Sequence, residues 1–310
     1  MKIICVESLG ISRERFEALK THYADMGHEF TYYMDRREDE PTLVERMHDA
    51  DIVAISNIKL TASVLKQCSK LRYLSVAFTG LDHIDLAYCR EHDIEVQNAA
   101  GYSTTAVSEL AVGMMLDLLR NIVTLSEQMH RGGSRGTFLG RELSGKTVGI
   151  IGTGAIGTAT ARLLLAFGAK VIAWSRTERP AVKAMGVEYV PMDTLLQQSD
   201  IVSLHVPLCD ETRNLISERE LALMKPTALL VNTARGPVCD IAAVGHALIE
   251  NRIAGAAFDV FEKEPPLPLD HLLLSTNRCL VTPHVAFATE ESFAARADIV
   301  FGHVDDYLKA

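Results

Sequence analysis

Three glycines near the middle of the chain have the spacing of a phosphate-binding turn. They are Gly152, Gly154 and Gly157, in the segment 147–157, TVGIIGTGAIG, which follows an apolar strand pattern and precedes a helical one. In a G-x-G-x-x-G turn the first glycine permits the tight bend, the second lets the backbone approach a pyrophosphate, and the third lets helix and strand pack closely. The first helical N–H groups complement the phosphate charge. The context predicts dinucleotide binding; the alternative is a glycine-rich turn without a ligand.

The residues after the next predicted strand indicate which dinucleotide is bound. Segment 170–174, KVIAW, is followed by Ser175, Arg176 and Thr177, where an acidic residue would hold the ribose hydroxyls of NAD. A carboxylate would repel a 2′-phosphate, whereas these three side chains can bind one. We therefore expect NADP to be preferred, with NAD possible. In the alternative interpretation Arg176 is solvated, or stacks on adenine with NAD bound.

Three charged side chains that follow later strands have the chemistry of an acid–base site. They are Arg235 in VNTARG, Glu264 in DVFEKEPP and His284 in VTPHV. Because the carboxyl ends of strands line the ligand crevice of an open α/β sheet, we expect the three to face one cleft. Hydride attack on a ketone builds negative charge on its oxygen, so a cation and a proton donor must be in place there. Each residue alone has a simpler explanation as a solvated or non-catalytic side chain.

Strand and helix patterns alternate along nearly the whole chain, which predicts an α/β fold with parallel sheets. A first unit has predicted strands at 2–6, 51–55, 71–76 and 94–96, and a helix at 12–26. A helix at 104–126 is apolar nearly all round, which predicts burial in the core or in a dimer interface. A second unit begins at Lys146, with helices starting near Ala155, Glu218 and Ile241 and strands at 147–151, 170–174, 201–206, 228–232, 254–258 and 279–282.

Composition excludes several classes of protein. The 310 residues suggest about two domains, and 48 % hydrophobic with 23 % charged residues is typical of a globular protein. A net charge of −9 opposes phosphate backbones and anionic lipids, so we expect no nucleic-acid or membrane partner. The N-terminus has no signal-peptide pattern, and no apolar stretch reaches the ~18 residues of a membrane span. The six cysteines form no C-x-x-C pair, so we expect buried thiols, no metal site and a cytoplasmic location.

Taken together, several stretches closely resemble the D-isomer-specific 2-hydroxyacid dehydrogenase family, which includes hydroxypyruvate/glyoxylate reductases, D-lactate dehydrogenases and phosphoglycerate dehydrogenases. They are 79–85 (TGLDHID), 151–157 (IGTGAIG), 205–208 (HVPL), 231–236 (VNTARG), 259–265 (DVFEKEP) and 282–284 (TPH). The resemblance covers essentially the whole chain. It implies an NAD(P)-dependent oxidoreductase that interconverts a small 2-oxo acid, such as hydroxypyruvate, glyoxylate or pyruvate, with its D-2-hydroxy acid.

The resemblance also implies the architecture. A Rossmann-type doubly wound cofactor domain would span 99–288. A smaller flavodoxin-like substrate domain would combine 1–98 with 289–310, and the substrate would lie in the cleft between them. The family resemblance further implies a homodimer built around the cofactor domain.

Residue roles follow from matching motifs. Arg235 would bind the substrate carboxylate and polarise the carbonyl, His284 would be the general acid in reduction, and Glu264 would hydrogen-bond His284 and favour its imidazolium form. The predicted substrate-binding residues are Asn57, Phe78, Thr79, Gly80, Leu81 and Arg235. The predicted cofactor-binding residues are Thr79, Gly152, Gly154, Ala155, Ile156, Gly157, Ser175, Arg176, Thr177, His205, Val206, Pro207, Thr233, Ala234 and Asp259, the last holding the nicotinamide carboxamide.

Two departures and two rival functions bear on the interpretation. Phosphoglycerate-type members have an arginine where this chain has Ile55, so a phosphorylated substrate loses one partner, although Lys59 remains. The missing acidic residue after 170–174 separates the chain from NAD-using members. A dinucleotide-sensing binding protein on the same fold would not oxidise its cofactor with any 2-oxo acid. A formate- or phosphite-type oxidoreductase would act on those substrates instead.

Overall fold

The computed structural model describes residues 1–263 and 266–310, which form two compact units. The first unit consists of Met1–Ser103 with Ala288–Ala310, and the second of Thr104–Phe287. The sequence-based boundaries lie a few residues away, at 98/99 and 288/289. Within the described residues no helix combines the length and the apolar character that crossing a membrane requires.

The first unit is a five-stranded parallel sheet in the order β2-β1-β3-β4-β5, which is the flavodoxin-like order. Its predicted helix forms as expected, with Phe16, Leu19 and Tyr23 buried at helical spacing. The strands are β1 (Lys2–Cys5), β2 (Glu29–Tyr32), β3 (Ile52–Ile55), β4 (Tyr73–Val76) and β5 (Glu95–Asn98). The helices are α1 (Arg13–Asp25), α2 (Glu40–Met47), α3 (Ala62–Leu65), α4 (Leu86–Glu91) and the C-terminal α12 (Glu290–Lys309).

The second unit contains a seven-stranded parallel sheet in the order β12-β11-β10-β9-β6-β7-β8, the doubly wound arrangement expected of a Rossmann-type domain. Its strands are β6 (Thr147–Ile151), β7 (Lys170–Trp174), β8 (Glu188–Tyr189), β9 (Ile201–Leu204), β10 (Leu229–Asn232), β11 (Gly255–Phe258) and β12 (Cys279–Val281). Its helices are α5 (Thr104–Arg120), α6 (Ile122–His130), α7 (Ala155–Ala166), α8 (Pro180–Ala184), α9 (Met192–Gln198), α10 (Glu218–Leu223) and α11 (Ile241–Ile249).

The single helix predicted over 104–126 is wrong in one respect, because it is two helices. Asn121 has a left-handed backbone, with φ of 50°, and separates α5 from α6. Asparagine tolerates this conformation better than most residues, since its short polar side chain bonds locally. α5 is buried on several faces, including Met114, Met115 and Leu119, and packs in the core of the second unit. α6 buries none of its residues within the described protein.

Six of the seven strands of the second sheet, all except β8, end level with one another across the sheet. The register pairs neighbouring strands through Trp174, Ile151, Leu204, Asn232, Phe258 and Val281. The next residue in each strand therefore emerges at the same carboxyl edge. In chain order these residues are Gly152, Ser175, His205, Thr233, Asp259 and Thr282, and each opens a segment that the sequence predicts to bind cofactor or substrate.

Candidate active site

The glycine turn between β6 and α7 has the geometry that its sequence predicts. Gly152 has φ of 98°, and a Cβ atom there would lie 2.5 Å from the carbonyl oxygen of His205. A Cβ atom at Gly157 would lie 2.0 Å from the carbonyl oxygen of Gly152. Gly152 is therefore required by conformation and space, and Gly157 by the close contact between helix and turn.

Two further observations show that the same edge fits a dinucleotide. A Cβ atom at Gly154 would meet no atom within 4 Å, so the turn is open on the side where a pyrophosphate would approach the start of α7. The buried hydroxyl of Thr233 has no hydrogen-bond partner among the described residues. A buried polar group of this kind is normally satisfied. Ala155 and Ile156 begin α7 at the turn, and Val206 and Pro207 follow β9 beside it.

His205 also lies at this edge, where burial disfavours the protonated form of its ring. Desolvation by the surrounding protein lowers the pKa of His205 to about 4. Its Nε2 lies 3.0 Å from the hydroxyl of Ser203, which is fully buried. The carbonyl of His205 packs against Gly152, and the cofactor-binding role predicted for His205 stays a prediction.

The turn that presents Arg235 is shaped by Asn232, the last residue of β10, which the sequence analysis did not select. Asn232 is fully buried; its Nδ2 donates to the carbonyl of Arg235 at 2.9 Å, and its Oδ1 accepts from the N–H of Ala234 at 3.0 Å. The Arg235 guanidinium is half-buried and donates from Nη1 to the carbonyl of Ala234 at 2.8 Å. In the sequence this arrangement is indicated by an asparagine at the end of a strand, followed by an arginine three residues later.

Gly236 brings the Arg235 turn against the segment that leads to Glu264. A Cβ atom at Gly236 would lie 2.0 Å from the carbonyl carbon of Phe261, so only glycine fits. In the same segment Oε1 of Glu262 lies 3.1 Å from Nε2 of His271. Glu264 itself lies outside the described residues, and its predicted contact with His284 stays a prediction.

Asp259 organises the segment that follows β12. Its Oδ1 accepts from the hydroxyl of Thr282 at 2.5 Å and from the N–H of Val285 at 2.9 Å, and its Oδ2 accepts from the N–H of Ala286 at 2.8 Å. Burial raises the pKa of Asp259 above its ordinary value, although these hydrogen bonds oppose the shift. A carboxylate has about four acceptor sites, of which these bonds take three. Asp259 is fully buried, and the bond to the nicotinamide carboxamide that the resemblance assigns to it stays a prediction.

The same segment holds His284 in a left-handed conformation. His284 has φ of 54°, and its N–H donates to the carbonyl oxygens of Asp259 at 2.8 Å and Thr282 at 3.0 Å. Its ring is edge-on to that of Phe287, with centroids 5.4 Å apart. A non-glycine residue is rarely left-handed, so the conformation persists because the surrounding hydrogen bonds hold it. The imidazole is half-buried at the carboxyl edge.

The predicted 2′-phosphate residues lie at the end of β7, with Arg176 and Thr177 exposed and Ser175 half-buried. The structure adds a carboxylate that the sequence analysis missed. Glu211, in the loop after β9, has its pKa lowered by a hydrogen bond with Cys209 and by the nearby charge of Arg176. Arg176 therefore has an acidic neighbour from a distant part of the sequence.

The remaining predicted residues belong to the first unit, at the carboxyl ends of β3 and β4. Phe78 is buried, Thr79 is exposed, and Gly80 and Leu81 are half-buried. The carbonyl of Thr79 accepts from Nδ2 of Asn98 at 2.6 Å. Asn57 is half-buried beside β3. The roles assigned to these residues stay predictions.

Comparisons with known proteins agree with the fold and with the arrangement at the carboxyl edge of the second sheet. A family model described as D-isomer specific 2-hydroxyacid dehydrogenase, NAD binding domain, matches residues 112–286. A glyoxylate reductase of Thermofilum pendens is 38 % identical over 290 residues, covering 91 % of this chain and 84 % of that relative. A glycerate dehydrogenase of Methylorubrum extorquens is 34 % identical over 307 residues, covering 96 % and 95 %.

A solved structure has a closely similar fold over the whole chain. An acyclic imino acid reductase in complex with NADPH and D-Arg has a TM-score of 0.88 and 28 % identity, covering 100 % of this chain and 97 % of that one. The family match spans more than half of this chain and includes the glycine turn, Arg235, Asp259 and His284. The chain therefore belongs to the D-isomer-specific 2-hydroxyacid dehydrogenases, oxidoreductases that transfer a hydride between a nicotinamide cofactor and a 2-oxo or 2-hydroxy acid.

Proposed function

We propose that this enzyme reduces a small 2-oxo acid, of the hydroxypyruvate, glyoxylate or pyruvate type, to its D-2-hydroxy acid. The observation that supports this most directly is the common row of strand ends, because it delivers the glycine turn, Arg235, Asp259 and His284 to one edge of the sheet. Names of the relatives, glyoxylate reductase and glycerate dehydrogenase, point to the same substrates.

In the proposed mechanism the chain's own residues bind, polarise and protonate the substrate. The guanidinium of Arg235 pairs with the substrate carboxylate and draws electron density toward the carbonyl oxygen. The bound nicotinamide supplies the hydride. His284 donates a proton to the carbonyl oxygen as it becomes an alkoxide, and Glu264 favours the protonated imidazole. In the oxidative direction His284 accepts that proton.

A substrate panel tests the proposal. Glyoxylate, hydroxypyruvate, pyruvate and phenylpyruvate are each offered with NADH and with NADPH, and cofactor oxidation is followed by absorbance. We expect at least one 2-oxo acid to be reduced. The products of hydroxypyruvate, pyruvate and phenylpyruvate should be entirely the D enantiomer, whereas the glycolate formed from glyoxylate is achiral. Absence of oxidation with every pair would contradict the proposal and favour a dinucleotide-sensing protein; oxidation of formate or phosphite would support the other rival.

We further propose that NADPH is the preferred cofactor, by at least about tenfold in kcat/KM. Losing one charged hydrogen-bonding partner costs roughly 1.5–3 kcal/mol, about 10–100-fold in affinity. Ser175→Asp combined with Arg176→Ala should reverse the order, because the new carboxylate accepts from ribose hydroxyls and repels phosphate. Both cofactors are compared at one saturating 2-oxo acid concentration.

A substitution at Glu211 tests the same cofactor preference in the opposite direction. Glu211→Gln removes the carboxylate near Arg176 without touching the three predicted phosphate ligands, so the preference for NADPH should increase. Equal efficiencies with both cofactors in the unmodified enzyme, or a preference for NADH, would show that the interpretation of Ser175–Thr177 is wrong.

The proposed quaternary structure is a homodimer, and the proposed location is the cytoplasm. α6 and the segment after it expose Ile122, Val123, Met129 and Leu139 at 47–80 %, an apolar surface of the kind that interfaces cover. Ile122→Glu combined with Met129→Glu should give a monomer in analytical ultracentrifugation. An unmodified protein that already sediments as a monomer would rule the dimer out.

A further inference from the structure

The carboxyl edge of the first sheet contains a buried charge that the proposed mechanism does not use. Glu7 follows β1, and its side chain is 7 % exposed. Its Oε1 accepts from the N–H of Ser56 at 2.9 Å, and its Oε2 accepts from Nη1 of Arg36 at 2.8 Å. A buried carboxylate is stable only when it is paired and hydrogen-bonded. The pairing therefore fixes Arg36 next to the turn that follows β3.

Arg36 is not a freely rotating surface side chain, because the loop that bears it is anchored. The preceding residue, Asp35, accepts from Nη2 of Arg46 at 2.8 Å through both carboxylate oxygens. The Arg46 guanidinium also donates to the carbonyl of Val6 at 2.7 Å and lies 4.1 Å from the ring centroid of Tyr33. The loop is thus tied to α2 and to the end of β1.

Arg36 determines which way the side-chain amide of Asn57 faces. Its Nη1 donates to Oδ1 of Asn57 at 2.9 Å. A guanidinium offers only donors, so Asn57 can present only its oxygen to it. The Nδ2 group consequently faces away from Arg36, and within residues 1–263 and 266–310 no acceptor for it is found.

The backbone of Ser56, the residue before Asn57, is also held by hydrogen bonds. The carbonyl of Ser56 lies 2.8 Å from Nε2 of His83, while its N–H is bound by Glu7. Arg36 is neutralised by Glu7 and by Glu38, whose Oε1 accepts from its Nε at 2.7 Å. Because both acidic partners surround the guanidinium, it does not offer a free cation for a phosphorylated substrate.

We propose that Glu7 and Arg36 are positioning residues that hold Asn57 as a hydrogen-bond donor to the substituent on C3 of the substrate, so that the enzyme selects 2-oxo acids with an acceptor oxygen on C3. The inference rests on the proposed function and on the predicted place of Asn57 in the substrate pocket. A fixed donor is left unpaired when C3 bears only hydrogen, and a site built to bond a hydroxyl discriminates against the analogue without one. Hydroxypyruvate satisfies the donor; pyruvate does not.

The first test uses Asn57→Leu, which keeps nearly the same side-chain shape and removes the N–H donor without adding an acceptor for the C3 hydroxyl. Glyoxylate is the internal reference, since it has no C3. We expect the ratio of kcat/KM for hydroxypyruvate to that for glyoxylate to fall about three- to tenfold, the range for one neutral hydrogen bond. The pyruvate-to-glyoxylate ratio should not fall. An unchanged hydroxypyruvate ratio would overturn the inference.

The second test separates orientation from simple structural support. Arg36→Ala releases the amide, so about half of the molecules would present the wrong end and the hydroxypyruvate ratio should fall about twofold. Arg36→Lys keeps a donor and should restore it. In the Asn57→Leu background Arg36→Ala should leave the ratio unchanged, because leucine has no amide for Arg36 to orient.

These outcomes distinguish the two levels of the proposal. Equal falls of the ratio in both backgrounds would mean that Arg36 acts only on the fold, and the inference would fail. An unmodified enzyme that oxidises neither reduced cofactor with any 2-oxo acid would instead contradict the proposed function itself. Thermal midpoints of all variants are measured alongside, so that unfolding is recognised.

Discussion

Arg235→Lys is expected to lower kcat/KM for the best 2-oxo acid by about 100-fold or more, the scale of one lost electrostatic contact in a transition state. Lysine keeps the charge but loses the planar fork that can engage a carboxylate through two parallel hydrogen bonds. The turn itself should persist, because Asn232 bonds the backbone of Ala234 and Arg235 rather than the guanidinium. Steady-state kinetics with the preferred cofactor gives the measurement.

Cofactor binding provides the control for this variant. Trp174, the one tryptophan, is the last residue of β7, and energy transfer from it to the reduced nicotinamide reports the dissociation constant. That constant should barely change in Arg235→Lys. Arg252→Lys makes the same chemical change at an arginine whose side chain pairs with Glu218 and Glu250, and should keep full activity. Near-normal kcat/KM in Arg235→Lys would remove Arg235 from the mechanism.

His284→Asn is expected to lower kcat about 10²- to 10⁴-fold, the usual contribution of general acid–base catalysis. Asparagine is chosen because position 284 has φ of 54°, a conformation that asparagine adopts more readily than alanine. Asp259 binds the backbone N–H groups of Val285 and Ala286, and residue 284 contributes its own backbone N–H. None of these hydrogen bonds involves the imidazole. The thermal midpoint should therefore stay close to that of the unmodified enzyme, and activity should be lost at every pH.

Two comparisons make this result decisive. His284→Ala should lose similar activity but melt at a lower temperature, since alanine is disfavoured in the left-handed region. His246→Asn changes an exposed histidine on α11 and should retain activity. Retention of more than about a tenth of the activity in His284→Asn would mean that another group supplies the proton.

Local features of the site were predictable because their causes lie within a few residues. The tight bend at Gly152 and the close contact at Gly157 involve a strand, a turn and a helix that are consecutive in the chain, so their spacing alone predicts the turn. The starts of α7, α10 and α11 were predicted correctly for the same reason. Each helix begins at a change of pattern after a turn, two of them with a capping side chain from Ser217 or Asp240.

Elements without a strong local pattern were missed. β2 has only four residues, of which Phe30 alone is buried, and β8 has two residues at the edge of its sheet. Such strands are defined by pairing with a neighbour rather than by their own hydrophobic period. The division of the predicted long helix at Asn121 was missed because the apolar pattern continues through it.

By itself the sequence determined the dinucleotide turn, the α/β alternation and the identity of Arg235, Asp259 and His284 as residues that follow strands, because period and spacing are properties of neighbouring residues. Only the tertiary structure decided how these segments are aligned and supported. Strand register places their starting points on one row. Hydrogen bonds such as those of Asp259 with Val285 and of Arg36 with Asn57 join residues 26 and 21 positions apart in the chain. Their geometry depends on how whole elements pack, which no short stretch of sequence specifies.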